Sequence, residues 1–378
     1  MHDKMEDRFP TMKAIIYHSY DDIRLENRSI PTINETELLV RVHGCGLCGS
    51  DILKITQQAP PPVILGHELT GTIVECGKAV SGFEVGQRVI VAHHVPCGTC
   101  HYCRHQNYSM CAAFKASNID PCGFAEYIRV PTEHVRHTTL LLPETLSAEE
   151  GSFVEPLACC VRAVRRTPLL PGDSVVVMGL GSVGLLMLQA AKALGAGRDK
   201  SGPYGAVQVY GVDLLPERLQ LARDLGADAV FQAPPGEQGL RGHDKSSPYN
   251  PLIGERGADA VILTAPGVRP FLQAVASVRK GGTINIFAAN NSTAPLNLET
   301  IYTQELTITS SYSSSPEDLR IALDLLTDRK VSVNRLISHR LPLERFDEGV
   351  SLMRERAALK VYFSIAPDNV DYSTNYEI

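Results

Sequence analysis

The stretch Ser174-Val175-Val176-Val177-Met178 is apolar and of strand length, and it runs straight into Gly179-Leu180-Gly181-Ser182-Val183-Gly184. Leu185 to Leu194 continue with helix formers and almost no charge, and Gly195 is placed to stop that helix. A strand, a glycine turn and a helix in this order make a dinucleotide-binding arrangement. Gly179 permits the sharp turn. Gly181 has no Cβ, so a pyrophosphate can approach the backbone, and Gly184 lets helix and strand pack closely. The helix N-terminus offers free N–H groups and a partial positive charge to the phosphates. The glycine pattern alone also describes an ordinary strand-to-helix turn. The strand before it and the helix after it favour the cofactor.

An acidic residue for the ribose belongs roughly 20 residues beyond the turn. Here the strand from Val207 to Asp213 ends later. Residues 198–206 read as a loop inserted between the first helix and the second strand, and removing it restores the spacing. Asp213 then closes that strand, where its carboxylate can accept both ribose hydroxyls and repel a 2′-phosphate, favouring NAD over NADP. Arg218 either reaches the adenosine end or is a solvated residue in the first turn of the next helix.

The 378 residues suit two domains, each with its own core. A net charge of −6 gives no attraction to nucleic acid or to an acidic membrane surface. No apolar run approaches a bilayer span, and Met1 to Asp7 contain no hydrophobic signal segment. Ten cysteines without an export signal point to reduced thiols and metal rather than disulfides, and to a cytoplasmic protein.

Residues 1–12 read as a polar leader. Met12 to Tyr17 and Leu38 to Val42 have strand character, and short glycine-punctuated strands from Leu69 to Ala92 suggest a compact β-barrel-like domain. Within it, Cys97, Cys100, Cys103 and Cys111 share one short loop. Four thiolates suit a closed, structural, tetrahedral zinc. A set of buried free thiols and a redox Cys-x-x-Cys are the alternatives. His93, His94 and His101 lie nearby and are expected to be exposed or structural. Beyond Asp213 the pattern of alternating strands and helices continues. Residues 234–256 read as a long surface loop, 367–378 as a polar tail.

Gly46-Leu47-Cys48-Gly49-Ser50-Asp51, Gly66-His67-Glu68, the four-cysteine loop, Val154-Glu155-Pro156-Leu157 and Gly179–Gly184 occur in this order. In motifs and order the chain resembles the zinc-dependent medium-chain dehydrogenases, within the sorbitol/iditol and threonine dehydrogenase branch. The resemblance runs from about Met12 to Ile365. It implies an α/β protein: a GroES-like β-barrel catalytic domain, 1–166 and 313–378, split around a Rossmann domain, 167–312, that binds NAD. It implies two Zn2+ ions, one catalytic and one structural. Cys48 matches the zinc thiolate and His67 the imidazole ligand. Glu68 and Glu155 match two carboxylates that ligate the zinc or hold its water. Ser50 matches the hydroxyl that relays the substrate's proton, and Asp51 a group that orients ligands. Val183 and Arg218 match cofactor contacts, and a homodimer or homotetramer is implied.

The match is incomplete. Where many relatives carry a histidine five residues after the zinc cysteine, this chain has Leu53. Lys54 follows where an aromatic group is expected, and Ser311-Tyr312 stands where an Arg-Tyr pair is expected. These changes fall on substrate-facing positions. The expected activity is oxidation of a secondary alcohol (a polyol, sugar alcohol or cyclitol) with hydride transfer to NAD. A threonine-type amino alcohol dehydrogenase and a non-enzymatic zinc protein are the alternatives.

Overall fold

The structure, a computed structural model, describes residues 10–57, 60–61, 63, 65–196, 207–233, 256–288 and 291–366. The leader through residue 9, the expected loop at 198–206, all of the expected loop at 234–256 but Arg256, and the tail at 367–378 lie outside the described residues. Two compact units emerge. The first is Met1–Glu155, Ser315–Leu323 and Val333–Ile378; the second is Pro156–Ser314 and Asp324–Ser332.

The first unit opens with β1 (Thr11–Ser19) and β2 (Asp22–Ser29), an antiparallel pair. Next come β3 (Leu38–Gly46), β4 (Glu68–Cys76), β5 (Arg88–Val91), β6 (Tyr127–Val130) and β7 (Thr139–Leu141). β1 buries Met12 and Ala14 alternately with exposed neighbours, whereas β3 and β4 are buried along most of their length. The sequence suggests a strand from Gly123 to Ile128, but it begins only at Tyr127. Phe124 instead turns into the core against Phe346 and Phe363, with ring centroids 5.0 and 5.5 Å away. Its carbonyl still accepts Ile15 N–H at 2.9 Å, so the irregular stretch leaves few backbone groups unpaired.

The second unit is a parallel sheet of β8 (Ser174–Met178), β9 (Gln208–Asp213), β10 (Ala229–Gln232), β11 (Ala258–Leu263), β12 (Val278–Ile286) and β13 (Thr307–Ser310). Their order across the sheet is β10-β9-β8-β11-β12-β13. This is the Rossmann order, and it reverses between β8 and β11. All five residues of β8 are buried, as expected for a strand covered on both faces. Gly195 does not stop the first helix, which is Ser182–Ala196. A Cβ on Gly195 would sit 2.7 Å from Val207, so the glycine is there for close packing.

The chain then returns to the first unit with β14 (His339–Pro342) and β15 (Val361–Ser364). Its main sheet runs β14-β15-β3-β4-β5-β7, with β6 paired to β3. The last strand is therefore an interior one.

Candidate active site

Cys48 is the N-cap of the helix Gly49–Thr56. Its Sγ accepts the Ser50 N–H at 3.4 Å, and the Asp51 Oδ2 accepts the Cys48 N–H at 3.1 Å. This reciprocal capping fixes the thiol at a helix N-terminus. Asp51 is fully buried and does more than cap. Its Oδ1 accepts Gly66 N–H at 3.1 Å and lies 3.4 Å from His67 Nδ1. One carboxylate thus positions both Cys48 and His67, the outer-shell role that metal ligands require. Burial alone would raise the Asp51 pKa, but the His67 imidazole, the Lys54 charge and the Gly66 N–H outweigh it and hold it below the usual value.

Glu68 opens β4 opposite Gly46 of β3. A Cβ at Gly46 would lie 2.2 Å from Glu68 Oε2, so only glycine leaves room for the carboxylate. Lys360, just ahead of β15, donates from Nζ to Glu68 Oε2 at 2.5 Å and to the Leu47 carbonyl at 3.3 Å. Burial pulls the Lys360 pKa down, but Glu68 and Cys48 more than compensate and hold it above the ordinary lysine value. Glu68 Oε1 is buried without a hydrogen-bond partner among the described residues.

One donor atom each from Cys48, His67 and Glu68 lies within 4.8 Å of the others. A thiol, an imidazole and a carboxylate at that separation suit zinc with one position left open. The unsatisfied Glu68 oxygen is free to serve as the carboxylate donor of such a site. Glu155, in the first turn of the helix Val154–Arg165, is buried but is not one of these three. Ser50 Oγ is 3.3 Å from Cys48 Sγ and 3.4 Å from His67 Nε2, on an exposed residue.

Sequence reasoning missed two participants. Lys360 gave no signal beyond a charge beside an apolar strand, 292 positions from its partner. His93 packs its ring 4.6 Å from His67 and 3.9 Å from His94. Burial and the charges of His67 and His94 push its pKa well below the ordinary value. The doublet His93-His94 just before Cys97 was the available sign.

The four cysteines of the loop also converge, with their sulfurs within 4.8 Å of one another. All are free thiols. Cys97 Sγ accepts Cys100 N–H at 3.4 Å, and Cys111 Sγ accepts Cys97 N–H at 3.5 Å. The N–H groups of Thr99 and Cys100 hold the Cys97 thiol down at about 6. Four converging sulfurs with backbone donors aimed at them fit a closed tetrahedral zinc. Among the described residues these two groups have metal-site geometry.

In the second unit, Gly179 (φ +100°) turns the chain out of β8 and donates its N–H to the Val212 carbonyl at 2.8 Å. Thr264 Oγ1, after β11, donates to the Gly179 carbonyl at 2.5 Å and pins the turn. Asp213 accepts Leu180 N–H at 2.6 Å and Leu215 N–H at 3.0 Å, and Arg218 Nη1 is 3.9 Å from it. Val183 lies in the first turn of the helix Ser182–Ala196. A Cβ on Gly184 would meet the Gly179 carbonyl oxygen at 1.8 Å, whereas one on Gly181 would meet nothing within 4 Å. The open space at Gly181, beside a helix N-terminus, fits a pyrophosphate. Gly184→Ala is expected to cost about 1–3 kcal/mol, seen as a lower thermal midpoint. Gly181→Ala should leave the midpoint unchanged and weaken NADH binding, measured by nicotinamide fluorescence.

Residues 34–140 match the alcohol dehydrogenase GroES-like domain, and residues 202–328 match the zinc-binding dehydrogenase family. A sorbitol dehydrogenase of Halalkalibacterium halodurans is 31% identical, covering 93% of this chain and 98% of that protein. The match to sorbitol dehydrogenase of Bacillus subtilis is 38% identical but spans 49% of this chain and 54% of that protein. A solved zinc-binding dehydrogenase of Sinorhizobium meliloti bound to NADP has a TM-score of 0.80 at 28% identity, covering 94% of this chain and 99% of that one. Fold and donor clusters together define a class, the zinc-type alcohol oxidoreductases. The chain belongs to the zinc-dependent medium-chain dehydrogenases, the family that includes the sorbitol dehydrogenases.

Proposed function

We propose that this chain oxidises a polyol, sugar alcohol or cyclitol at a secondary hydroxyl, reversibly, with NAD. The observation that carries the reading is the convergence of Cys48, His67 and Glu68 within 4.8 Å. We assign the metal chemistry to the first unit and cofactor binding to the second. When bound, zinc supplies a Lewis acid that acidifies the alcohol, and the nicotinamide accepts the hydride.

The chain's own residues do the rest. Cys48, His67 and Glu68 would hold the metal, and Glu155 would serve as the second carboxylate of the site. Asp51 keeps two ligands in register through Gly66, His67 and the Cys48 N–H. Ser50 Oγ takes the hydroxyl proton, while the carbinol hydrogen leaves with its electron pair. Ser50 is exposed, so the proton passes to solvent without the histidine that Leu53 replaces. Gly179, Gly181, Val183 and Gly184 cradle the dinucleotide.

The Asp213 charge favours NAD by repelling a 2′-phosphate. Arg218, 3.9 Å away, supports NADP as a second reading. The full reading includes a homodimer or homotetramer, tested by light scattering, in a reducing cytoplasmic setting that ten free thiols suit.

The test is reduction of NAD and of NADP across polyols, cyclitols, threonine and simple secondary alcohols, followed by near-ultraviolet absorbance. Strong turnover of a polyol or cyclitol with NAD is expected. Turnover of threonine alone would replace the substrate class, and turnover with NADP alone would replace the cofactor. Silence together with no dinucleotide binding would sink the reading.

A further inference from the structure

Lys360 and Glu68 form a buried ion pair, with side chains 3% and 1% exposed. The lysine does not reach the site by chance flexibility. Its backbone is held on both sides: Leu47 N–H donates to the Val361 carbonyl at 2.9 Å, and Ser338 N–H donates to the Lys360 carbonyl at 3.0 Å. Its Nζ then bridges Glu68 Oε2 and the carbonyl of Leu47, the residue before Cys48. One carboxylate therefore has two claimants. Oε2 belongs to Lys360, and Oε1 has no hydrogen-bond partner among the described residues. Nothing in the proton relay or the ligand set uses Lys360.

A fixed positive charge beside a dication site opposes the dication, and the effect is large where water is excluded. We propose that Lys360 is a positioning residue that loosens the catalytic site's hold on zinc, by restricting Glu68 to one free oxygen and by adding a permanent positive charge beside the donors. The inference rests on the metal reading of Cys48, His67 and Glu68. Its chemical consequence is a Glu68 that remains displaceable, so the open position can accept a substrate oxygen.

Zinc release from the loaded full-length chain into excess pyridylazoresorcinol tests this. The catalytic phase is the one absent from His67→Ala; the other phase belongs to the four-cysteine loop. Lys360→Met is expected to slow the catalytic phase by about tenfold or more, leaving the other phase unchanged, and Lys360→Arg to restore the original rate. In a Glu68→Gln background the same Lys360→Met change should slow release less than in the parent, because the lysine charge is still removed but no carboxylate is being shared. Zinc should also raise the thermal midpoint of Lys360→Met more than that of the parent, since breaking a buried pair destabilises the metal-free protein. If Lys360→Met does not fold, Lys360→Gln, which keeps a donor without the charge, carries the same expectation. Release as fast as the parent or faster, or slowing as large in Glu68→Gln as in the parent, would overturn the inference while leaving the metal site intact. Absence of any His67-dependent phase would overturn the metal reading and this inference with it.

Discussion

His67→Ala is expected to reduce kcat/KM for alcohol oxidation by about 10³–10⁴ and to lower the zinc content from about two ions per chain to about one. The magnitude follows from the role. A Lewis acid at the reacting oxygen is worth several kcal/mol of transition-state stabilisation, and each 1.36 kcal/mol is about tenfold in rate. Among the described residues His67 supplies one of three donors that converge here, so its loss leaves a thiol and a carboxylate that cannot hold the ion in open tetrahedral geometry. Asp51 then loses the imidazole at 3.4 Å but keeps its bonds to Cys48 and Gly66, so the fold should survive. Metal analysis beside steady-state kinetics checks both halves. Unchanged turnover with one zinc lost would remove the catalytic role assigned to this cluster.

Cys103→Ser should act on stability instead. Cys103 is buried among Cys111 and Phe114, with Cys100 and Tyr108 packed against them. That cluster is too small to hold a lobe of this length by burial alone, so the metal is expected to do so. Structural zinc contributes folding energy directly, roughly 10–16 kcal/mol in small isolated sites. Removing one of four thiolates should therefore drop the thermal midpoint by at least about 10 °C, with loss of the loop's zinc and retention of the His67-dependent one. Scanning calorimetry with metal analysis decides it. A midpoint and zinc count equal to the parent's would return these cysteines to ordinary buried thiols.

Much of the second unit could be read from residues alone, because a buried parallel strand, a glycine turn and a helix leave a strong local pattern. The four-cysteine loop was equally plain, since its ligands lie close together in the chain. The Cys48–His67–Glu68 site was not, because its donors come from a helix cap and a strand start separated by a loop. There, resemblance supplied what spacing could not. The helix Gly49–Thr56 escaped notice because it is eight residues long and opens on glycine. Lys360 escaped because its partner is chosen by sheet order, which the sequence does not display. Gly195 was misread for the opposite reason: a glycine near a helix end looks like a stop, while here it answers to Val207 packing against it.

That the final strand is an interior one has a consequence for how the chain is made. Tyr362, Phe363 and Ser364 pair with Gly46, Cys45 and Gly44, so that stretch of β3, unlike Leu38–Arg41 paired to β6, keeps an open edge until β15 has been made. Lys360 arrives with that strand and neutralises Glu68 only then. Synthesis therefore produces Cys48, His67 and Glu68 well before the lysine that balances Glu68. A nascent chain stopped short of β15 carries an unpaired strand edge and an unbalanced carboxylate side by side. That interval is when the chain is most exposed to mispairing with a second copy.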